Sequence, residues 1–238
     1  MSIPREAFRA PDDVIPPENH ARAMLDRDIT VPDSTFAQVF GPEDTPVQSA
    51  LYRQQALGRV ALFDVGCGTG NTLRTWMEAV REHSEPSDVV TAAGITLHDY
   101  SGESALPQTA EAVKNDLTYI VGNAESMPEV PSESADVLLA FMSLVHMTSP
   151  ELALREMVRI ARPGAVMYMN AIYEEWEKET TPFREALTKL PHNGCAVEVR
   201  RAMIAGPDGQ PPLKLAIVKI EKRVTLDARW LLRHILPA

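Results

Sequence analysis

From Arg59 onward, short uninterrupted apolar runs alternate with longer stretches in which apolar residues recur every three or four positions. The runs VALFDV, VVTAAGIT, LTYIVG, ADVLLAF and AVMYMNA read as strands. Between them, the helical period predicts helices over Asn71 to His83, Glu103 to Asn115 and Pro150 to Ala161. Strands that are apolar throughout and separated by helices predict a parallel sheet covered on both faces. Two later runs, AVEVRRAMI and KLAIVKIEK, flank GPDGQPPL, whose Gly and Pro content marks a turn, so they read as an antiparallel hairpin at one edge. A closing helix over Asp227 to Ile235 gathers Trp230, Leu231, His234 and Ile235 on one stripe, which either covers the core or meets a second copy in a homodimer.

Upstream, the pattern breaks down. Residues 1–58 are rich in Pro, Asp and Glu, and seven prolines interrupt any long element, leaving short helices over Glu18 to Arg27 and Pro46 to Leu57. A disordered leader would have this look, but the aromatic and aliphatic residues that persist through it favour a lid or substrate-capping segment. The expected division is therefore 1–58 as the cap and 59–238 as the catalytic domain with its C-terminal helix.

Composition narrows the function classes. The 238 residues, 45% hydrophobic and 24% charged, suit one full-sized globular domain with an appendage. A formal net charge of −10 disfavours nucleic acid and anionic lipid as partners. The two cysteines, Cys67 and Cys195, have no metal-ligand spacing and form no disulfide framework. With no signal-peptide pattern and no apolar run near the ~20 residues that span a bilayer, a cytoplasmic protein without a membrane segment is expected.

In an open α/β sheet, ligands bind beyond the carboxyl ends of the strands. The first such loop is Asp64-Val65-Gly66-Cys67-Gly68-Thr69-Gly70, whose alternating glycines let a ligand lie against bare main chain. It follows an apolar strand and opens an amphipathic helix, the context a cofactor loop needs, although a plain tight turn would also use glycine. Asn71 stands where a dinucleotide fingerprint wants Gly or Ala, which argues against NAD.

An acidic residue followed by G-x-G-x-G resembles the first motif of the class I S-adenosylmethionine-dependent methyltransferases, and the resemblance runs from about Arg59 to Lys222. It implies a Rossmann-like fold with S-adenosyl-L-methionine as cofactor, Asp64 organising the loop near the methionine part, and Gly66, Cys67, Gly68 and Gly70 beneath the ligand. The family usually ends its second strand with an acidic residue for the ribose hydroxyls. Here GITLHDYS puts Thr96 there, similar to the "GIT" variant of some small-molecule and lipid methyltransferases, with Asp99 nearby. VGNAESMP resembles the segment that reads adenine, giving that role to Asn123, Ala124 and Glu125. SADVLLAFMSLVHM resembles the fourth strand and its exit, so Ala140, Phe141 and Met142 would border the methionine tail and transfer site. ARPGAVMYM resembles the turn before the fifth strand, with Gly164 as its glycine.

Methyl transfer is an in-line displacement, so alignment and water exclusion dominate, and a base is needed only for a protonated nucleophile. His146, at the exit of the fourth strand, is the candidate base, though a packed or capping histidine would look the same. Tyr173 and Trp176 could hold an apolar or cationic acceptor, and Glu174 or Glu175 could orient an amine, unless they are a solvated acidic helix start. The absence of an NPPY-like string argues against nucleobase or glutamine amino groups, and no carboxylate cluster suggests a metal. A small diffusible acceptor, such as a specialised metabolite, is the expected partner. Two alternatives stay open: a cofactor-binding scaffold without methyl transfer, acting as a cyclase, regulator or subunit, and a nucleotide-dependent oxidoreductase.

Overall fold

The computed structural model describes residues 33–68, 70–85, 89–96, 117–141, 143–144, 147–172, 181–204 and 213–223. The helices expected over Glu18 to Arg27, Glu103 to Asn115 and Asp227 to Ile235 lie outside them. In chain order come α1 (Asp33–Phe40), α2 (Pro46–Leu57), β1 (Arg59–Val65), α3 (Asn71–Glu82), β2 (Val89–Thr96), β3 (Leu117–Val121) and β4 (Ala135–Ala140). They are followed by α4 (Pro150–Ile160), β5 (Ala161–Ile172), α5 (Pro182–Lys189), a 3-10 turn over Leu190–Asn193, β6 (Cys195–Ile204) and β7 (Leu213–Lys222).

The seven strands form one sheet in the order β3-β2-β1-β4-β5-β7-β6. β1 to β5 run parallel, while β7 is inserted antiparallel between β5 and β6. This is the Rossmann-like, mostly parallel sheet with an antiparallel C-terminal pair that the alternation of runs predicts. α1 and α5 were not foreseen, and β5 starts earlier than expected: Ala161 already pairs with Ala135, across a register shift before Val137 meets Val166.

Alternation along each strand divides the core in two. Val137 and Leu139 of β4, Val166 and Tyr168 of β5, and Leu215 and Ile217 of β7 face α2 and α3. Their neighbours Leu138, Ala140, Met167, Met169, Val218 and Ile220 face α4 and α5. Because both faces are buried, the strands read as continuous apolar runs rather than alternating ones.

Each helix buries one stripe. On α3 it is Leu73, Trp76, Met77 and Val80, at the i, i+3, i+4, i+7 spacing. α2 starts at Thr45, whose hydroxyl accepts the Gln48 N–H at 3.2 Å, with Pro46 in the first turn. α5 repeats the device with Thr181 accepting from Arg184 N at 3.2 Å, followed by Pro182. At the C-terminus of α4, buried Lys222 donates to Val158 O at 3.1 Å and Ala161 O at 2.7 Å, a cation at the negative end of a helix. Both cysteines are free and buried, and burial pushes the Cys195 thiol up to about 11, so it stays protonated near neutrality.

The N-terminal helices belong to the same core. Phe36 of α1, fully buried, meets Trp76, Phe141 and Tyr168 edge-on, with ring centroids 5.5, 5.4 and 5.3 Å away. Burying such a ring stabilises by about 1.5–3 kcal/mol, and each edge-to-face pair adds about 0.5–1.5 kcal/mol. Asp33 Oδ1 accepts Val47 N at 3.1 Å, joining α1 to α2. Tyr168 Oη and Ser49 Oγ lie 2.9 Å apart, and Lys219 pairs with Asp44, so α2 and the turn before it are fastened to β5 and β7.

Tyr168→Phe should therefore cost about 1–3 kcal/mol in urea unfolding, because it strands a buried serine hydroxyl. Burial raises the Tyr168 phenol above its ordinary value. Above about pH 10 the unfolded chain then releases a proton that the folded chain retains, so stability falls as pH rises. The Phe variant should lose stability less steeply over that range.

Candidate functional site

The chain winds from β1 out to β2 and β3 on one side and resumes at β4 and β5 on the other, so its direction reverses between β1 and β4. Such a reversal opens a crevice beyond the carboxyl ends of the two strands. Register aligns the rim: Val65 stands beside Ile95, Thr96 beside Val121, and Ala140 beside Met169.

The glycine loop is bent over the end of β2, where Gly66 N and Cys67 N both donate to Ile95 O, at 2.8 and 3.0 Å. Gly70 N then bonds Cys67 O at 2.8 Å, and α3 begins. Two of the glycines are required for different reasons. Gly66, at φ 81, has no room: a Cβ there would fall 2.4 Å from Ser143 Cβ. Gly68, at φ 53, would meet nothing within 4 Å, so its main chain faces open space. Cys67 points inward, its sulfur filling the place a side chain on Gly94 would take. Asp64 is buried, 5% exposed, near the end of β1.

Beyond β2 and β3 the loops are tied together. Thr96 is buried and its carbonyl accepts Gly122 N at 2.9 Å. Asn123 Oδ1 accepts the Glu125 N–H at 2.9 Å, closing a small turn from an exposed position. The Ala124 side chain enters the core. Glu125 Oε1 accepts Ser149 N at 2.7 Å at the entry to α4, so its carboxylate organises the helix start. Glu156 and Arg159 of α4 hold the next turn, through Met127 N at 3.0 Å and Met127 O at 2.6 Å. What this loop offers a ligand is its main chain and the Asn123 amide. On the β4 side, Phe141 is half-buried against Phe36.

The structure thus brings Asp64, Gly66, Cys67, Gly68, Gly70, Thr96, Asn123, Ala124, Glu125 and Phe141 to one end of the sheet. Met142, His146, Tyr173 and Glu174, with Asp99, Glu175 and Trp176, lie outside the described residues. Sequence reasoning passed over Ser143, a polar residue in the apolar stretch FMSLVHM, and Phe36, which carried no signal of its own.

These residues fit an adenosyl sulfonium ligand. The open space beside Gly68 would supply a main-chain cradle, the Asp64 carboxylate would supply a counter-charge for a sulfonium, and no phosphate demands a cationic partner. Bound there, the cofactor would provide an electrophilic methyl group. Among the described residues no cluster of His, Cys, Asp and Glu could hold a metal, and no helix is long and apolar enough to cross a membrane.

A fold with this strand order and a glycine loop at this crevice defines a class, and the comparisons agree. A family model described as a methyltransferase domain matches residues 63–169. Thiol S-methyltransferase TMT1B of Homo sapiens is 29% identical over 131 residues, 54% of this chain and 46% of the relative. Sterol 24-C-methyltransferase ERG6B of Gibberella zeae is 26% identical over 129 residues, 52% of this chain and 32% of the relative. This chain spans less than half the length of these two curated relatives. The crystal structure of the [4+2]-cyclase SpnF superposes with a TM-score of 0.52 at 18% identity, covering 74% of this chain and 79% of that one, a likeness of fold alone. Residues 63–169 of this chain thus match a methyltransferase domain, and its sheet has the fold seen in S-adenosylmethionine-dependent methyltransferases.

The two glycines should respond differently to alanine. Gly68→Ala should cost only the left-handed backbone penalty, about 1–2 kcal/mol. Gly66→Ala adds overlap with Ser143 and should cost more in the same urea titration, with a lower unfolding midpoint than the Gly68 variant.

Proposed function

We propose that this chain transfers a methyl group from S-adenosyl-L-methionine to a small-molecule acceptor, a specialised metabolite being the class favoured. The observation that carries the reading is the bare main chain at Gly68 facing open space beside buried Asp64, at the point where the sheet reverses direction. Asp64 and the glycine loop would hold the methionyl part, Thr96 the ribose, and Asn123 with the Ala124 main chain the adenine. The acceptors named for the relatives, a thiol and a sterol, support small molecules as the substrate class without fixing the atom methylated. The residues of α1 and α2 support a capping role for the segment before Arg59, because Phe36 packs on Phe141 at the rim of the crevice. Tyr173 and Glu174 are the proposed acceptor contacts and His146 the proposed base. A second reading, cofactor binding without methyl transfer, draws on the fold shared with a [4+2]-cyclase; transfer of labelled methyl to any acceptor in a metabolite panel would dismiss it.

Calorimetric titration tests the core of the proposal. S-adenosylhomocysteine should bind and NAD should not. Gly68→Asp should weaken the homocysteine ligand by about 100-fold or more, since the new side chain fills the cradle, while the unfolding midpoint shifts little. Unchanged affinity would remove the site.

Once an acceptor with an ionisable nucleophile is found, His146→Gln should lower kcat by about 100-fold or more. The wild-type rate should fall as pH drops below about 6.5, where a histidine base becomes protonated, and the variant should lose that limb.

A further inference from the structure

The two edges of the sheet differ in what they present. β3, at one end, has five residues, LTYIV, and no charge among them. β6, at the other, has ten, Cys195–Ile204, and pairs with β7 along its whole length. Among the described residues no strand pairs with the outer side of β6, which leaves a row of main-chain N–H and C=O groups able to continue the sheet.

Side chains alternate along this edge. Val197, Val199, Arg201 and Met203 follow Cys195 on the face toward α4 and α5, and two of these apolar residues are open to solvent, Val199 at 40% and Met203 at 62%. Ala196, Glu198, Arg200 and Ala202 share the other face, where α1 meets the strand. Arg200 Nη1 donates to Val39 O at 2.8 Å, at the end of α1, and the guanidinium lies 5.6 Å from the centre of the Phe40 ring. Its Nε donates to Glu198 Oε1 at 2.5 Å, which leaves Glu198 Oε2 for a donor from outside.

Charges on an edge strand ordinarily deter pairing. On β6 their order favours it in one register. When two copies of a strand pair antiparallel about a twofold axis through the sheet, directly opposed residues share a face, so the axis passes through one residue position. An axis at Arg200 sets guanidinium against guanidinium, one at Glu198 sets carboxylate against carboxylate, and one at Arg201 again opposes two cations. An axis at Val199 places Glu198 of each copy opposite Arg200 of the other, twice over. It also sets Val199 against itself, Val197 against the aliphatic stem of Arg201, and Ala196 against Ala202, small residues that leave room for α1.

We propose that β6 is a self-association edge, at which two copies of this chain pair antiparallel about Val199 and join their sheets into one. The contact lies on the sheet edge, whereas the sequence pattern suggested the closing helix. It stands apart from the cofactor reading and needs none of the crevice residues.

Sedimentation of the full chain tests it at about 0.15 M salt, where repulsion between two chains of net charge −10 is screened. The wild type should form a concentration-dependent dimer. Glu198→Arg and Arg200→Glu each set like charges against one another at two places, and each should raise the dimer dissociation constant by about tenfold or more. Mixed in equal amounts, the two variants should dimerise again, because arginine then opposes glutamate at both places. Glu198→Arg should unfold near the wild-type midpoint, since an exposed ion pair contributes little. Val199→Cys reads the register: with diamide as oxidant, two thiols at the axis pass their hydrogens to the reagent's N=N bond and join as a disulfide. Arg201→Cys, which faces Val197, should cross-link far less, and the buried wild-type cysteines should stay unlinked. A wild type that remains monomeric would overturn the proposal and leave this edge to another segment of the chain or to a different protein. A dimer indifferent to Glu198→Arg, a mixture of folded variants that stays monomeric, or equal cross-linking at 199 and 201 would overturn it as well. Because Arg200 also holds α1, the Glu198→Arg and cysteine results decide the matter if Arg200→Glu fails to fold.

Discussion

The side-by-side run of β1 and β4 is the constraint on which the rest of the molecule depends. Leu62, Phe63 and Asp64 pair with Val137, Leu138 and Leu139, although residues 66–134 separate the two strands. That pairing requires both strands to be apolar on both faces, because helices cover each side of the sheet at its centre. It also forces the loops that follow the two strands to turn away from each other. The crevice is a consequence of this parting, and beside it Gly66 and Ser143 meet so closely that a side chain at Gly66 would overlap Ser143. A binding site at this place follows from the topology, before any particular side chain is considered.

Much of this was legible in the chain because two-faced burial leaves a strong mark. VVTAAGIT reads as a strand and is one over the same residues, Val89–Thr96, since no charged residue interrupts it. The glycine loop was equally visible, since its spacing and its place between an apolar run and an amphipathic helix are both local properties. The hidden parts depend on contacts distant in sequence. α1 is only eight residues, DSTFAQVF, in a proline-rich stretch, and an isolated helix of that length is not stable by itself. It persists because Phe36 enters a ring cluster built from α3, β5 and the exit of β4, which no local pattern announces. The early start of β5 was hidden because ARPG has the chemistry of a turn, while the pairing of Ala161 with Ala135 is decided by the neighbouring strand.

The site shows the same division. Residue types pointed to Asp64, Thr96 and Asn123, and all three stand at the carboxyl end of the sheet. Their present partners could not be read from the string. Glu125 looks like part of a ligand-reading loop, yet its carboxylate caps the start of α4 through Ser149. Asn123 spends one acceptor position on the Glu125 amide. A carbonyl oxygen has two lone pairs, so the turn and a ligand can share it, and the turn fixes the side chain before a ligand arrives.

The division of labour across the sheet has a physical basis. On the side of β1, β2 and β3, the groups proposed to face a ligand are main chain or short side chains fastened by neighbouring loops. Such groups lose little freedom on binding and can hold one shape of cofactor well. The β4 side adds Phe141, half-buried against a helix from the N-terminal segment, which links the rim of the crevice to residues far upstream. A cationic cofactor approaching a chain of net charge −10 would be favoured at long range, as well as by the proposed contact with Asp64. The attraction is screened beyond about 8–10 Å at physiological salt, so it aids encounter but cannot replace the shape of the cradle. On the proposed reading, retention of the cofactor would rest on the bare backbone of Gly68 and the groups packed around it.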